Sequence, residues 1–191
     1  MSEDGFHVHG PHDHHMEHAA HSAPDSFAGQ LAVVTAVLAT VGAMFSYMGG
    51  ATQANAGLLK NDAAIRKTEA SNQWNYYQAK SSKQNLSELA VALAPADKQT
   101  FYLDEVKRYK SEKAEIKVAA EKLEAESKEF DDKSAEQMHQ HHRWAQATTA
   151  LQISIAMAAI ALLTKRKWLS LVVFGVGGLG MVLGALAWVH I

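Results

Sequence analysis

Cysteine is absent from the 191 residues, which removes disulfides, thiolate metal sites, iron–sulfur clusters and cysteine nucleophiles at once. Proline is scarce at three, and a single one, Pro95, stands between residues 49 and 144. Charge is missing in blocks: none of the 18 basic and 20 acidic residues lies in the windows 27–48, 145–163 or 168–189. No glycine-rich loop for phosphate is present, because the glycines concentrate in the last window, and no carboxylate or nucleophile cluster stands out. Catalysis is therefore not expected, and neither is nucleic-acid binding, with a net charge of −2.

What remains is patterning. About 20 apolar residues at ~1.5 Å each cross a hydrocarbon core of ~30 Å. Residues 27–48, 145–163 and 168–189 each approach or exceed that length, so three transmembrane helices are expected. The second is the most polar, with Gln146, Thr148, Thr149, Gln152 and Ser154, and Thr148 with Gln152 offers either interhelical hydrogen bonds or a pore lining. The third has Trp168 and Trp188 near its ends, where indoles favour the headgroup level. No Lys or Arg precedes the first window, unlike the basic start of a secretory signal, so that span is expected to stay in the mature protein.

Residues 49–144 hold 15 acidic and 15 basic side chains, a balanced segment for water. Its proline falls in the run 94–97, with Pro95 fit for a first turn and Asp97 able to cap the following helix. The stretches on either side are of matched length, which predicts an antiparallel helical hairpin whose arms reach roughly 70 Å at ~1.5 Å per residue. On the returning arm, positions 102, 106, 109, 113, 116, 120, 123, 127, 130 and 134 alternate by four and three, and seven of them are apolar, a coiled-coil seam. On the outgoing arm Leu58, Ile65, Asn72, Ala79, Leu86 and Leu93 fall seven apart, with polar companions Asn61, Thr68, Asn75 and Ser82. Such a seam packs loosely, and the leftover apolar surface is expected to be closed by other copies. The fold class is thus all-α, with three transmembrane helices and a long coiled-coil hairpin between the first and second.

Four groups of residues carry functional expectations. Trp74, Tyr76 and Tyr77 form an aromatic patch for a partner or another copy, or fill the hairpin seam. Reflection through the turn puts Trp74 near Lys117 and Val118 and favours seam packing. The 26-residue tail holds His7, His9, His12, His14, His15, His18 and His21 among five acids, a composition suited to Zn, Cu or Ni or to a solvated tract that binds metal adventitiously. A second group, His139, His141 and His142, reads as an interfacial anchor beside Arg143 and Trp144. Gly180 and Gly184 have the spacing of close-packed membrane helices, as do Ala28, Ala32, Ala36 and Thr40.

Lys165, Arg166 and Lys167, in the link 164–167, pull that link to the cytoplasm and the hairpin to the periplasm, against an opposing pull from Lys60, Arg66 and Lys67. By segment the charge is −5 in the tail, 0 in the hairpin and +3 in the link.

The acidic His-rich leader, the run Ala70-Ser71-Asn72-Gln73-Trp74-Asn75-Tyr76-Tyr77-Gln78-Ala79-Lys80-Ser81 and the link Thr164-Lys165-Arg166-Lys167-Trp168 resemble the bacterial membrane-protein family called domain of unknown function 4337. The resemblance covers nearly the whole chain, and Gln-Trp-x-Tyr-Tyr-Gln-Ala-Lys is its most specific element. It implies a multi-pass bacterial inner-membrane protein of this layout and brings no catalytic residue with it.

The functional expectation is a non-enzymatic, oligomeric scaffold or accessory protein, in contact with membrane lipid, with other copies of itself and with a larger membrane complex. Metal handling by the tail, and a channel or motor-stator-like unit suggested by layout alone, are the alternatives. Calorimetric titration of the tail peptide with Zn, Cu and Ni ions tests the metal reading. Metal handling predicts tight binding to the native sequence that a His-to-Ala version loses, whereas weak binding equal in both peptides contradicts it.

Overall fold

The computed structural model describes residues 27–189, which form three helices and, among the described residues, no strand. Helix α1 spans Phe27–Leu93, α2 spans Ala96–Thr164 and α3 spans Trp168–Trp188. The expected first and second spans are thus the ends of two much longer helices. Each of the three helices includes a stretch long and apolar enough to cross a membrane.

Proline explains the only break between α1 and α2. The last bond of α1 runs from the Ala94 N–H to the Ala90 carbonyl (2.8 Å), and Pro95 has no N–H with which to continue. Pro95 lies just before α2 rather than in its first turn, and its carbonyl accepts from the Lys98 N–H at 2.9 Å. Asp97 is inside the first turn, where its negative charge complements the positive end of the helix dipole, instead of at the capping position. The Gln99 side-chain amide donates to the Ala94 carbonyl at 3.2 Å, satisfying one of the free acceptors at the end of α1. Between α2 and α3 the chain turns through Lys165, whose φ of 56° is left-handed and uncommon for a residue with a Cβ.

The chain divides into two compact units, one containing residues 27–50 and 140–189, the other Ala51–His139. In the first, Leu31 and Leu38 of α1, Leu151, Ala158 and Ala161 of α2, and Leu169 and Val173 of α3 form a buried core. The α3 face turned inward is Leu169, Val173, Gly177, Gly180, Gly184 and Ala187, a three-and-four spacing rich in small residues. On α1 the expected small-residue stripe, Ala28, Ala32, Ala36 and Thr40, is exposed instead. Leu31, Leu38 and Gly42 take the inward positions, one turn face away. Large apolar residues such as Val33, Val37, Ile153, Ile160, Leu171 and Phe174 face outward, as a lipid solvent permits.

In the second unit α1 and α2 pair along their lengths. The contacts Ser134–Ala56, Ser127–Ala63 and Lys80–Glu112 show partner numbers rising on one helix as they fall on the other. All ten seam positions anticipated on α2 are buried or half-buried. The α1 seam is not the anticipated one. Leu58, Ile65, Asn72, Ala79, Leu86 and Leu93 are all exposed, and α2 is met by Ala56, Ala63, Ala70, Tyr77, Gln84 and Val91, two residues earlier in each heptad. The reason is steric: alanines admit a close neighbour, and bulk on α2, such as Tyr109 and Ile116, fills the space.

Ala63 is 5% exposed and its carbonyl accepts from Ser127 Oγ at 2.8 Å, so no room remains there for a larger side chain. Ala63→Leu is expected to cost about 1–3 kcal/mol of overpacking. A lowered thermal midpoint of helical circular dichroism checks this, and an unchanged midpoint contradicts it.

Candidate functional site

The densest side-chain chemistry in the hairpin unit surrounds the aromatic run of α1. Trp74 and Tyr77, one turn apart, meet edge-on with centroids 5.7 Å apart. The Trp74 indole N–H donates to Glu124 Oε1 at 3.2 Å, and Lys67 reaches the same carboxylate oxygen at 3.6 Å. Glu124 lies seven residues beyond the Lys117 expected opposite Trp74. Helical side chains lean toward their own N-terminus, and for α1 that direction runs toward higher numbers on the opposed α2.

Further along, Lys113 lies over the Tyr77 ring at 4.8 Å and donates to Gln84 Oε1 at 3.2 Å, which satisfies a lysine in a seam position. Lys80 stands between the rings of Tyr76 (5.1 Å) and Tyr109 (5.5 Å) and pairs with Glu112 at 2.5 Å. Arg108 lies over the Tyr109 ring at 4.9 Å and joins Glu105 at 2.6 Å and Glu112 at 3.7 Å. The hydrogen bond with Lys80 holds the Glu112 carboxyl below its ordinary range, and the same bond, followed by that with Tyr76, raises the Lys80 ammonium above its own. The Tyr109 hydroxyl leads the causes that raise Arg108.

Trp74 and Tyr77 are half-buried against α2, while Tyr76 remains 51% exposed. The aromatic run therefore acts mainly within the hairpin, as clamps across the α1–α2 seam. Beside it, Ala64, Thr68, Ser71, Asn75 and Gln78 line an open polar groove with Trp74 at one wall. Lys67 and Glu124 also line it, paired with each other, while the Thr68 hydroxyl donates to the Ala64 carbonyl of its own helix.

Sequence reading overlooked the polar contacts that cross between helices. Ser127 Oγ donates to the Ala63 carbonyl and Ser134 Oγ to the Ala56 carbonyl, each at 2.8 Å. In the membrane unit, His141 Nδ1 lies 2.8 Å from the Gly49 carbonyl, so that nitrogen carries the proton of the bond. Ser154 Oγ donates to the Val173 carbonyl at 2.7 Å and is fully buried. Ser154, rather than the anticipated Thr148 and Gln152, joins two spans: the Thr148 hydroxyl is buried without a partner and Gln152 is exposed. The available signal was in the seams, because Ser127 and Ser134 were non-apolar positions in an otherwise apolar alternation.

Gly180 and Gly184 meet the same chain. A Cβ on Gly180 would lie 2.7 Å from Leu151 Cδ2, and one on Gly184 would collide with the Phe45 ring. Phe45 also meets Trp144 (5.3 Å), and Trp144 meets Trp188 edge-on at 6.3 Å. His141 and His142 stand together at 5.6 Å between ring centroids. Among the described residues no group of three His, Cys, Asp or Glu is placed to hold a metal ion. His7, His9, His12, His14, His15, His18 and His21 lie outside the described residues. Lys165, Arg166 and Lys167 occupy the turn between α2 and α3.

Over the described residues these features define an all-helical protein with three helices long and apolar enough to cross a membrane, and a long stretch of paired helix between the first two of those apolar segments. Residues 27–190 match the family described as Domain of unknown function (DUF4337), and the chain belongs to that family. No curated protein and no solved structure matches it.

The Lys80–Glu112 pair predicts a pH dependence. A carboxyl whose folded pKa is depressed stabilises the fold above its unfolded value of about 4.3, and that stabilisation disappears as pH falls through the lower folded value. The raised lysine stabilises below about 10.4 and loses its effect as pH rises through its folded value. Glu112→Gln is therefore expected to melt below wild type near neutrality, with the gap closing below about pH 4. A gap that stays constant through acid, followed by circular dichroism, contradicts the pair's role.

Proposed function

We propose that this protein is a non-enzymatic, oligomeric scaffold of a bacterial inner membrane, whose antiparallel coiled-coil hairpin provides surface for self-assembly and for partner binding. The observation that carries the reading is apolar surface left open on a segment rich in charge. Leu58, Leu86, Leu93, Phe101 and Val118 are 66%, 66%, 76%, 63% and 66% exposed. All five lie in the unit Ala51–His139, which holds most of the charged residues of the chain. Scattered apolar residues are ordinary on a surface, but large ones recurring along one helix mark a contact region.

The internal chemistry supports the same reading. The charged and aromatic groups of the hairpin neutralise and clamp one another, an arrangement that stiffens a strut and leaves no open catalytic constellation in the grooves described. Membrane lipid covers the outward apolar faces of the three spans, and the positive link 165–167 favours a cytoplasmic link with a periplasmic hairpin.

Mass photometry of the full chain in detergent tests the assembly. A particle of several chains is expected, and a monomer across the accessible concentrations contradicts it. The side is tested by Ser111→Cys, which introduces the chain's sole thiol on an exposed position of α2. A membrane-impermeant maleimide is expected to label it in intact cells, and labelling only after lysis contradicts a periplasmic hairpin.

A further inference from the structure

The hairpin part of α1 carries two heptad faces on opposite sides. One, centred on Ala56, Ala63, Ala70 and Tyr77, lies against α2. On the other, Leu58, Ile65, Asn72, Ala79, Leu86 and Leu93 recur every seven residues, with Asn61, Thr68, Asn75, Ser82 and Leu89 between them. These positions alternate by three and four over five heptads, all are exposed and none is charged. In coiled-coil terms they are the a and d positions, and α2 is met by the f position on the far side.

We infer that this face is the seam to the same face of a second copy, α1 against α1, parallel and in register. The inference rests on the oligomeric reading above and names its interface. Three observations select a second copy as the occupant. First, Leu58 lies the same number of residues beyond the membrane span in every copy. Copies inserted with one topology therefore present their faces in the same direction and at the same level.

Second, the layers match only themselves. Leu58 and Ile65 lead the face, Leu86, Leu89 and Leu93 end it, and Asn72 and Asn75 form its middle. In register, each carboxamide meets an identical carboxamide that can both donate and accept. Displacement by one heptad puts Asn72 against Ile65 or Ala79 and leaves its polar atoms unpaired, which is how a single Asn at an a position fixes register and partner number.

Third, the flanks are compatible. In a parallel pair each g position approaches the e position five residues later on the other helix. The g positions Gly57, Ala64, Ser71, Gln78 and Asn85 are uncharged, so Asp62, Glu69 and Lys83 of the neighbour meet no like charge. The contact is self-complementary, as a two-fold interface requires.

The chain's lack of cysteine permits a direct test. Asn72→Cys, Ala79→Cys and Leu86→Cys on the face, and Lys67→Cys and Glu88→Cys off it, are oxidised in native membranes and run without reductant, with mass photometry on the same proteins. Each face variant is expected to convert from a single-chain band to a two-chain band, while the off-face variants stay single. Leu86 is 66% exposed within the chain, so Leu86→Glu is expected to preserve helicity and lower the particle mass. Multimers whose face variants fail to cross-link, or whose off-face variants cross-link equally, overturn the seam and leave the oligomeric reading intact. Monomeric wild type overturns both. A wild-type mass of one chain plus a different protein also overturns the second copy as occupant.

Discussion

How closely two long helices approach is set by the smallest side chains between them, and here those are alanine and glycine at intervals of seven. In the hairpin unit Ala56, Ala63 and Ala70 are 1%, 5% and 1% exposed. Ala56 and Ala63 bring their carbonyls within reach of serines on α2. In the membrane unit Gly49 serves the same purpose: a Cβ there would lie 3.3 Å from Trp144 Cβ, and its carbonyl is met by His141. Each such bond adds only about 0.5–1.5 kcal/mol, but it forms at one alignment alone. Register follows from close approach, and the clamps around Trp74, Tyr77 and Lys80 follow from register.

Using alanine for the α2 contact has a consequence on the rest of α1. The larger apolar side chains, Leu58, Ile65, Leu86 and Leu93, stand on the other side of the helix, outside the pairing. Opposite the face that meets α2, α1 is thus left with a second face that nothing among the described residues covers. In the membrane unit, by contrast, the small residues of α3 are taken up within the chain, Gly180 by Leu151 and Gly184 by Phe45.

Much of this was legible in the sequence for simple reasons. Proline scarcity predicted the long helices and located their one break, and charge-free windows located the segments able to span a membrane. The α2 seam was readable because Val106, Tyr109, Ile116 and Leu123 repeat against a charged background. The α1 seam was misplaced because hydrophobicity points to leucine and isoleucine, whereas close packing selects alanine, whose burial leaves little trace in an apolar pattern. The same bias hid Ser127, Ser134 and Ser154, whose value lies in reaching a carbonyl across a gap that only the pairing creates. For Trp74 an index reflection finds the opposed stretch of α2 but not the hydrogen-bond partner, Glu124, because it ignores the lean of a side chain along its helix.

On the α1–α1 seam we propose, α1 would lie inside the assembly and α2 outside it. A cryo-EM reconstruction of the full-length protein in lipid nanodiscs measures this most directly. The predicted result is α1 helices in contact at the symmetry axis, Asn72 facing Asn72 across it, and α2 on the periphery. Hairpins meeting through α2, or separate hairpins with no contact between α1 helices, would contradict it.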